Sequence, residues 1–292
     1  MITEGVETER PSWIRGKASW SAGHEEVKGL LSELSLTSVC VAAACPRKGE
    51  CWNEKHVTFM ILGDTCTRSC LFCNVKKGTP PVPEASEPSN IARAVDALGI
   101  KYAVITSVTR DDLKDNGAGA FVMTVKKIKE LSPGTLVELL IPDMGADPVL
   151  LERIAFSGAE VIGHNIEMPE KLYRSIRPRA DYRRSLRVLE LLKGRSKGPL
   201  IKSSLMIGLG ESGEDIFRTF EDISRTGTDI LYIGQYLSPS KEHSPVMKYY
   251  APEEFQALKA KAEKMGFKYV SAGPLVRSSY KAYEAYFALR RK

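Results

Sequence analysis

Residues His56 to Cys73 read HVTFMILGDTCTRSCLFC. The first seven, His56–Leu62, form an apolar, β-type run of the length a buried strand needs. Gly63 and Asp64 end it, and three cysteines follow in a polar loop. The same pattern recurs at Tyr102–Val108, Leu136–Ile141, Glu160–Ile166, Ile201–Leu209 and Ile230–Leu237. Between these runs the apolar period is helical. Ile91, Ala94, Val95 and Leu98 make one stripe, with Ser89 or Asn90 as its cap. Asp147-Pro148 opens another helix, which Gly158 closes. Ile216, Phe220 and Ile223 form a third stripe, and Phe255, Leu258, Ala262 and Met265 a fourth. Six strand–helix repeats predict parallel strands with right-handed crossovers.

A barrel and an open doubly wound sheet both satisfy that pattern. Polar residues collect at the C-terminal ends of the runs: Asp64-Thr65-Cys66, Arg110-Asp111-Asp112, Asp143, Asn165 with Glu167, Gly210-Glu211 and Gln235. In α/β barrels the site is built at that face. The expected class is therefore α/β, a partial (βα)6 barrel of the TIM type over residues 56–270. An N-terminal extension, 1–55, and a C-terminal segment, 271–292, lie outside the repeat. The proline-bearing stretch Lys77–Asn90 is expected to be a stiff connector.

Composition narrows the function. The chain has 292 residues, 43% of them hydrophobic, and a net charge of +6. It has no run of 18 apolar residues, so no membrane span is expected. The polar start, Met1 to Arg15, lacks the apolar core of a secretion signal, and a cytoplasmic enzyme is expected. No basic run is interleaved with aromatics, so nucleic acid is not an expected partner. The denser basic stretch Lys171–Lys197 could serve as a docking surface for an acidic partner.

All six cysteines fall between positions 40 and 73, in two triplets. Cys40, Cys45 and Cys51 form C-x4-C-x5-C; Cys66, Cys70 and Cys73 form C-x3-C-x2-C. Clustered cysteines in a cytosolic chain of this size point to metal rather than disulfides. A closed zinc site takes four ligands, usually from paired C-x2-C knuckles, and a ferredoxin gives four cysteines to each cluster. Two sets of three instead suit two iron–sulfur clusters, each with one iron left for another ligand. No histidine has a carboxylate or serine at triad spacing, so hydrolytic chemistry has no candidate constellation.

Cys66-Thr67-Arg68-Ser69-Cys70-Leu71-Phe72-Cys73 resembles the cysteine motif of the radical S-adenosylmethionine superfamily, including the aromatic before its last cysteine. Together with the upstream triplet, several further stretches resemble the lipoyl synthase family from about residue 10 to 285. They are Thr106-Ser107-Val108-Thr109-Arg110-Asp111-Asp112-Leu113, His164-Asn165-Ile166-Glu167, Gly208-Leu209-Gly210-Glu211, Gly234-Gln235-Tyr236-Leu237 and Arg277-Ser278-Ser279-Tyr280.

The resemblance implies two [4Fe–4S] clusters. Cys66, Cys70 and Cys73 would hold the one that binds and cleaves S-adenosylmethionine. Cys40, Cys45 and Cys51, with the Ser278 hydroxyl as fourth ligand, would hold an auxiliary cluster that gives up sulfur. It further implies sulfur insertion at C6 and C8 of an octanoyl group on a carrier lysine. The carrier would be the lipoyl domain of a 2-oxoacid dehydrogenase acyltransferase or a glycine-cleavage H protein. A ferredoxin or flavodoxin would supply electrons, and a further protein would rebuild the auxiliary cluster. Asn165 and Glu167, two residues apart, are expected to face one side of a strand end. With Arg177 they are the candidates for holding the cofactor's polar groups. Gly208 and Gly210 could cradle its nucleotide. Arg110, Asp111 and Asp112 could fix the cofactor or tie the N-terminal segment to the barrel.

Overall fold

The computed structural model describes residues 9–14, 21–194 and 198–290. The expected extension 1–55 and the basic stretch ending at Lys197 therefore lie partly outside the described residues. Among the described residues there are ten strands: β1 (Thr37–Ser38), β2 (Thr58–Ile61), β3 (Thr65–Cys66), β4 (Lys76–Lys77), β5 (Tyr102–Ser107), β6 (Leu136–Leu140), β7 (Val161–Gly163), β8 (Leu200–Ile207), β9 (Ile230–Gln235) and β10 (Tyr269–Gly273). One eight-stranded sheet runs β1-β2-β5-β6-β7-β8-β9-β10, and β3 pairs with β4 in a separate ribbon. Every pairing from β2 to β10 is parallel, and only β1 joins antiparallel.

Each crossover adds its strand to the same edge, which is the winding of a barrel rather than of a doubly wound sheet. The parallel strands number seven, not six. Tyr269–Gly273 was not among the expected runs because it is short and ends in small residues, and it straddles the expected boundary at 270. The two-residue β1 brings the N-terminal extension onto the opposite edge.

The outer face is covered by α4 (Glu87–Ala97), α5 (Ala118–Leu131), α6 (Pro148–Ala155), α8 (Tyr182–Lys193), α9 (Gly213–Arg225) and α10 (Pro252–Lys264). The Asp147 carboxylate caps α6 by accepting from the Val149 and Leu150 amides at 2.8 and 3.3 Å, as its sequence predicts. The first stripe differs: α4 starts at Glu87, so Ser89 and Asn90 lie inside the helix. Pro88 fits the first turn, where its missing N–H costs nothing.

Inner and outer residues alternate along each strand. Tyr102, Val104, Val161, Ile230 and Tyr232 point inward and pack against Ala282 and Ala285 of α11 (Ala282–Arg290). The C-terminal helix thus fills the lower part of the barrel, leaving the space near the strands' C-terminal ends free.

A charged layer crosses that filled part. Lys202 Nζ donates to Glu138 Oε1 at 2.7 Å, and Tyr102 Oη donates to Glu138 Oε2 at 2.6 Å. The Lys202 ammonium also sits 4.0 Å from the centre of the Tyr232 ring. Lys202 and Glu138 are 2% and 3% exposed, so each charge depends on the other for compensation. Glu138→Ala would leave Lys202 buried and unpaired, and it is expected to cost about 3–5 kcal/mol. The double change Glu138→Leu with Lys202→Met should cost much less, a contrast that urea unfolding of both variants would measure.

Candidate active site

The loop bearing the second triplet hangs from four neighbouring segments. The Thr67 amide donates to Thr109 O at 3.1 Å, the Gly78 amide to Cys66 O at 3.0 Å, the Leu71 amide to Ile176 O at 2.8 Å, and the Ser244 amide to Leu71 O at 2.9 Å. Arg68, inside the motif, makes the strongest tie. Its guanidinium grips Asp111 at 2.7 and 2.9 Å and Asp143 at 2.7 and 2.9 Å, joining the loop to the ends of β5 and β6 through charge-assisted pairs. Although burial works the other way, the Arg68 guanidinium holds the Asp143 carboxyl well below the usual carboxylate range. Arg110 pairs instead with Asp112 at 2.7 Å and reaches Leu62 O at 3.3 Å. That is the structural role, at the end of β2.

Cys66, Cys70 and Cys73 line a cavity of about 290 Å³ at the C-terminal ends of the strands, together with Asn165, Glu167, Arg177 and Ser278. Asn165 Nδ2 donates to Glu167 Oε1 at 3.1 Å, so the two side chains share one side as expected. Glu167 adopts a left-handed backbone (φ 70°). Its amide donates to Ser204 O at 3.0 Å and its carbonyl accepts from the Met206 amide at 2.8 Å, stitching the segment onto β8. Burial raises the pKa of Glu167, while Arg177 and the Asn165 hydrogen bond oppose the shift.

Arg177 Nη1 donates to Ile166 O at 3.3 Å and to Tyr173 Oη at 2.9 Å, and the Cys70 sulfur is near enough to favour its charge. Its Nε is buried without a partner. The Gly208–Gly210 turn is closed by its own chain. Glu211 accepts from the Gly208 and Leu209 amides at 2.6 and 2.9 Å, leaving neither amide free to cradle a nucleotide phosphate.

The first triplet lies elsewhere. Cys40 is on α2 (Val39–Ala42), Cys51 is on α3 (Lys48–Asn53), and Cys45 lies between them. All three border a second pocket with Arg47, Arg277, Ser279 and Tyr280. Ser279 is thus the serine on this pocket, whereas Ser278, the expected fourth ligand, lines the central cavity with the other triplet. Ser278 and Ser279 are the central residues of a turn that the Tyr280 amide closes on Arg277 O at 2.9 Å, and the sequence alone could not tell which serine faces which way. Arg277 borders both spaces.

The donor sets fit iron–sulfur clusters. All six cysteines are free thiols. Burial, and then the neighbouring thiols, push Cys51 up to about 12. Burial pushes Cys73 up to about 11 and raises Cys45 and Cys70 as well. These are thiols that ionise when a metal replaces the proton. Among the described residues no three His, Cys, Asp or Glu side chains close on a point that one metal ion would fill. The thiols are instead spread around pocket walls, as a cluster with a separate iron for each thiolate requires.

Residues 60–223 match the radical SAM superfamily. The chain is 47% identical over 285 residues to a mitochondrial lipoyl synthase of Zea mays, covering 95% of this chain and 74% of that protein. It is 46% identical over 279 residues to a lipoyl synthase of Caldicellulosiruptor saccharolyticus, covering 96% and 98%. The chain belongs to the lipoyl synthase family. With that membership go lipoyl synthase function, S-adenosylmethionine and [4Fe–4S] clusters as cofactors, and an octanoylated lipoyl-domain substrate.

Solved structures agree on the fold. Methylornithine synthase superposes with a TM-score of 0.56 at 16% identity, covering 86% of this chain and 85% of that one. The hydrogenase maturase HydG superposes at 0.56 and 10% identity, covering 90% and 74%.

Five of the ten basic residues from Lys171 to Lys197 meet a carboxylate, while Arg174, Arg177 and Arg179 have none bonded among the described residues and Arg195 lies outside them. Lys171 pairs with Asp215, Arg183 with Glu170, Arg184 with Asp143, Arg187 with Glu190 and Lys193 with Asp229. Lys197 lies outside the described residues. Among the described residues no helix is long and apolar enough to cross a membrane.

His164 gives the site a pH signature. Its Nδ1 lies 2.9 Å from Ile141 O, an acceptor only, so Nδ1 carries the proton and Nε2 is left buried without a partner. Burial pushes its pKa from the ordinary 6.5 down to about 4. Above about pH 6.5 the ring is neutral folded or unfolded, and its contribution to stability is complete. Between about 6.5 and 4 the unfolded chain takes up a proton that the folded ring refuses, so stability should fall as pH falls through that window. His164→Gln is expected to flatten this part of the stability–pH curve, read by thermal unfolding at a series of pH values.

Proposed function

We propose a division of labour in which Cys66, Cys70 and Cys73 hold the cluster that binds S-adenosylmethionine, and Cys40, Cys45 and Cys51 hold the auxiliary cluster. One observation carries this reading: the two triplets line separate spaces that share a wall built from residues 276–279. For the fourth position of the auxiliary cluster we replace the expected Ser278 with Ser279, which borders the pocket of the first triplet. When bound, these groups supply a 5′-deoxyadenosyl radical on one side and sulfur on the other, for insertion at C6 and C8 of an octanoyl-lysine.

The chain's own residues do the rest. The Arg68 fork fixes the second triplet against β5 and β6, so the loop is positioned before any cofactor enters. Glu167 and Asn165 are suited to a ribose diol and the polar groups beside it, and Arg177 to a carboxylate. Val39, Ala43, Met60, Phe72, Leu140 and Val276 give the cavity apolar walls, which suit an eight-carbon acyl chain and keep water from a carbon-centred radical.

We assign residues 56–273, through the end of β10, to the radical barrel, and 1–55 with 274–292 to the auxiliary site. Further proposals are a carrier that is an acyltransferase lipoyl domain or an H protein, a ferredoxin or flavodoxin as electron source, and a separate protein that rebuilds the auxiliary cluster. A cytoplasmic location is supported by six thiols, none of them paired.

Anaerobic incubation of cluster-reconstituted protein with S-adenosylmethionine, a strong reductant and an octanoyl-lysine peptide tests the reading. The expected product is heavier by two sulfur atoms and accompanied by 5′-deoxyadenosine. Deoxyadenosine without sulfur insertion, from protein with both clusters intact, would overturn the substrate assignment. Cys40→Ala, Cys45→Ala and Cys51→Ala should each abolish sulfur insertion while cofactor cleavage persists. Ser279→Ala should change the Mössbauer signature of the auxiliary iron and Ser278→Ala should not. The reverse result would restore Ser278 as the ligand.

A further inference from the structure

Arg277 stands in the wall between the two cysteine pockets, and it differs from the carboxylate-paired cations that build the barrel. Arg68 lies between two aspartates, Arg110 grips Asp112, and Lys202 meets Glu138. Arg277 Nη1 donates only to carbonyls of its own turn, Val276 O at 2.7 Å and Pro274 O at 3.5 Å. No carboxylate of the described residues pairs with it. The charged or ionisable groups that act on it are the Cys45 thiol, which favours its charge, and the Arg47 guanidinium, which opposes it. Arg47 borders the same pocket, but its charge is already met by Glu50 at 3.0 Å, and it stacks 3.9 Å from the centre of the Tyr280 ring.

The position of Arg277 is built in. Gly234 of β9 leaves a notch against the Val276 carbonyl, and a Cβ there would collide with that oxygen and lie 3.4 Å from Arg277 Nη1. Carbonyl dipoles alone are poor compensation for a half-buried cation. Three thiols on the same pocket become the missing anions once iron displaces their protons.

We infer that Arg277 is the counter-charge of the Cys40–Cys45–Cys51 site and raises the reduction potential of the cluster those cysteines hold. A cation at close range stabilises an added electron, and cluster potentials follow local charge and hydrogen bonding to sulfur. The inference rests on the proposed assignment of the first triplet to an auxiliary cluster. Arg277 is a positioning residue in this sense, whatever its effect on turnover.

The test isolates that site. In a Cys66→Ala, Cys70→Ala, Cys73→Ala background of the full chain, reconstituted anaerobically, iron content and the cluster midpoint potential are measured by EPR-monitored redox titration. Arg277→Met should shift the midpoint to more negative potential, Arg277→Lys should restore most of the shift, and Arg47→Met should move it less. An unchanged midpoint in Arg277→Met with full iron content would overturn the inference. If Arg277→Met fails to hold iron, the comparison passes to Arg277→Lys and Arg277→Gln. Iron retention by lysine alone supports a role for the charge, and equal loss in both overturns it. Adding Cys40→Ala, Cys45→Ala and Cys51→Ala to the background must remove the signal. If it does not, the underlying assignment fails, independently of Arg277.

Discussion

The approach of residues 276–279 to the α-carbon of Gly234 is the constraint on which the candidate site depends. Any side chain at position 234 would meet the Val276 carbonyl and push the segment away from β9. That segment divides the space above the barrel floor. One of its serines borders one triplet, the next borders the other, and Arg277 borders both. Directly after it, α11 enters the barrel and packs Ala282 and Ala285 among Tyr102, Tyr232 and Val161. Small alanines on the helix and large tyrosines on the strands fill the same volume from opposite sides, so the plug is specified by size as well as by hydrophobicity. The C-terminal segment is held at both ends, by a notch above and a packed helix below.

The two halves of the site are built by different means. The second triplet sits in a short loop that Arg68 pins to two strands through paired carboxylates. The first triplet sits on and between short helices of the N-terminal extension, which joins the sheet through the two-residue β1. It depends on residues of the C-terminal segment to complete its pocket. The loop is thus held in one place by several parts of the barrel at once, while the first pocket is completed by two segments that are far apart in the chain.

Much of this was legible in the sequence because the signal was local. Each of the six expected strands overlaps an observed one, since apolar β-type runs between helical stripes have one consistent reading, and the cysteines at the end of the first run placed the mouth of the barrel. What was not legible depended on partners far away in the chain. Tyr269–Gly273 reads as a loop until Ile230–Gln235 offers it an edge. The arginine of the Cys66–Cys73 motif gives no hint that its partners are Asp111 and Asp143 rather than a ligand. Arg110-Asp111-Asp112 looked like one unit, but its aspartates are divided between two arginines. Ser278 and Ser279 are chemically identical in sequence, and only the direction of the backbone separates them.

The buried cations sort into two groups, and the sorting follows the chemistry. Arg68, Arg110 and Lys202 each meet a carboxylate at 2.7 Å, and each ties one part of the barrel to another. Arg177 and Arg277 meet carbonyls, a tyrosine hydroxyl and cysteine sulfur, with no carboxylate bonded to either. A half-buried guanidinium that only builds structure gains by having an anion beside it, as the first group shows. One left without an anion, on the wall of a thiol-lined space, is placed for a charge that arrives with the cofactors. Of the two, Arg177 still feels the Glu167 carboxylate on its own cavity, whereas Arg277 has only the Cys45 thiol to favour its charge. Cluster loading in this chain is then an electrostatic completion of the fold as much as a coordination event.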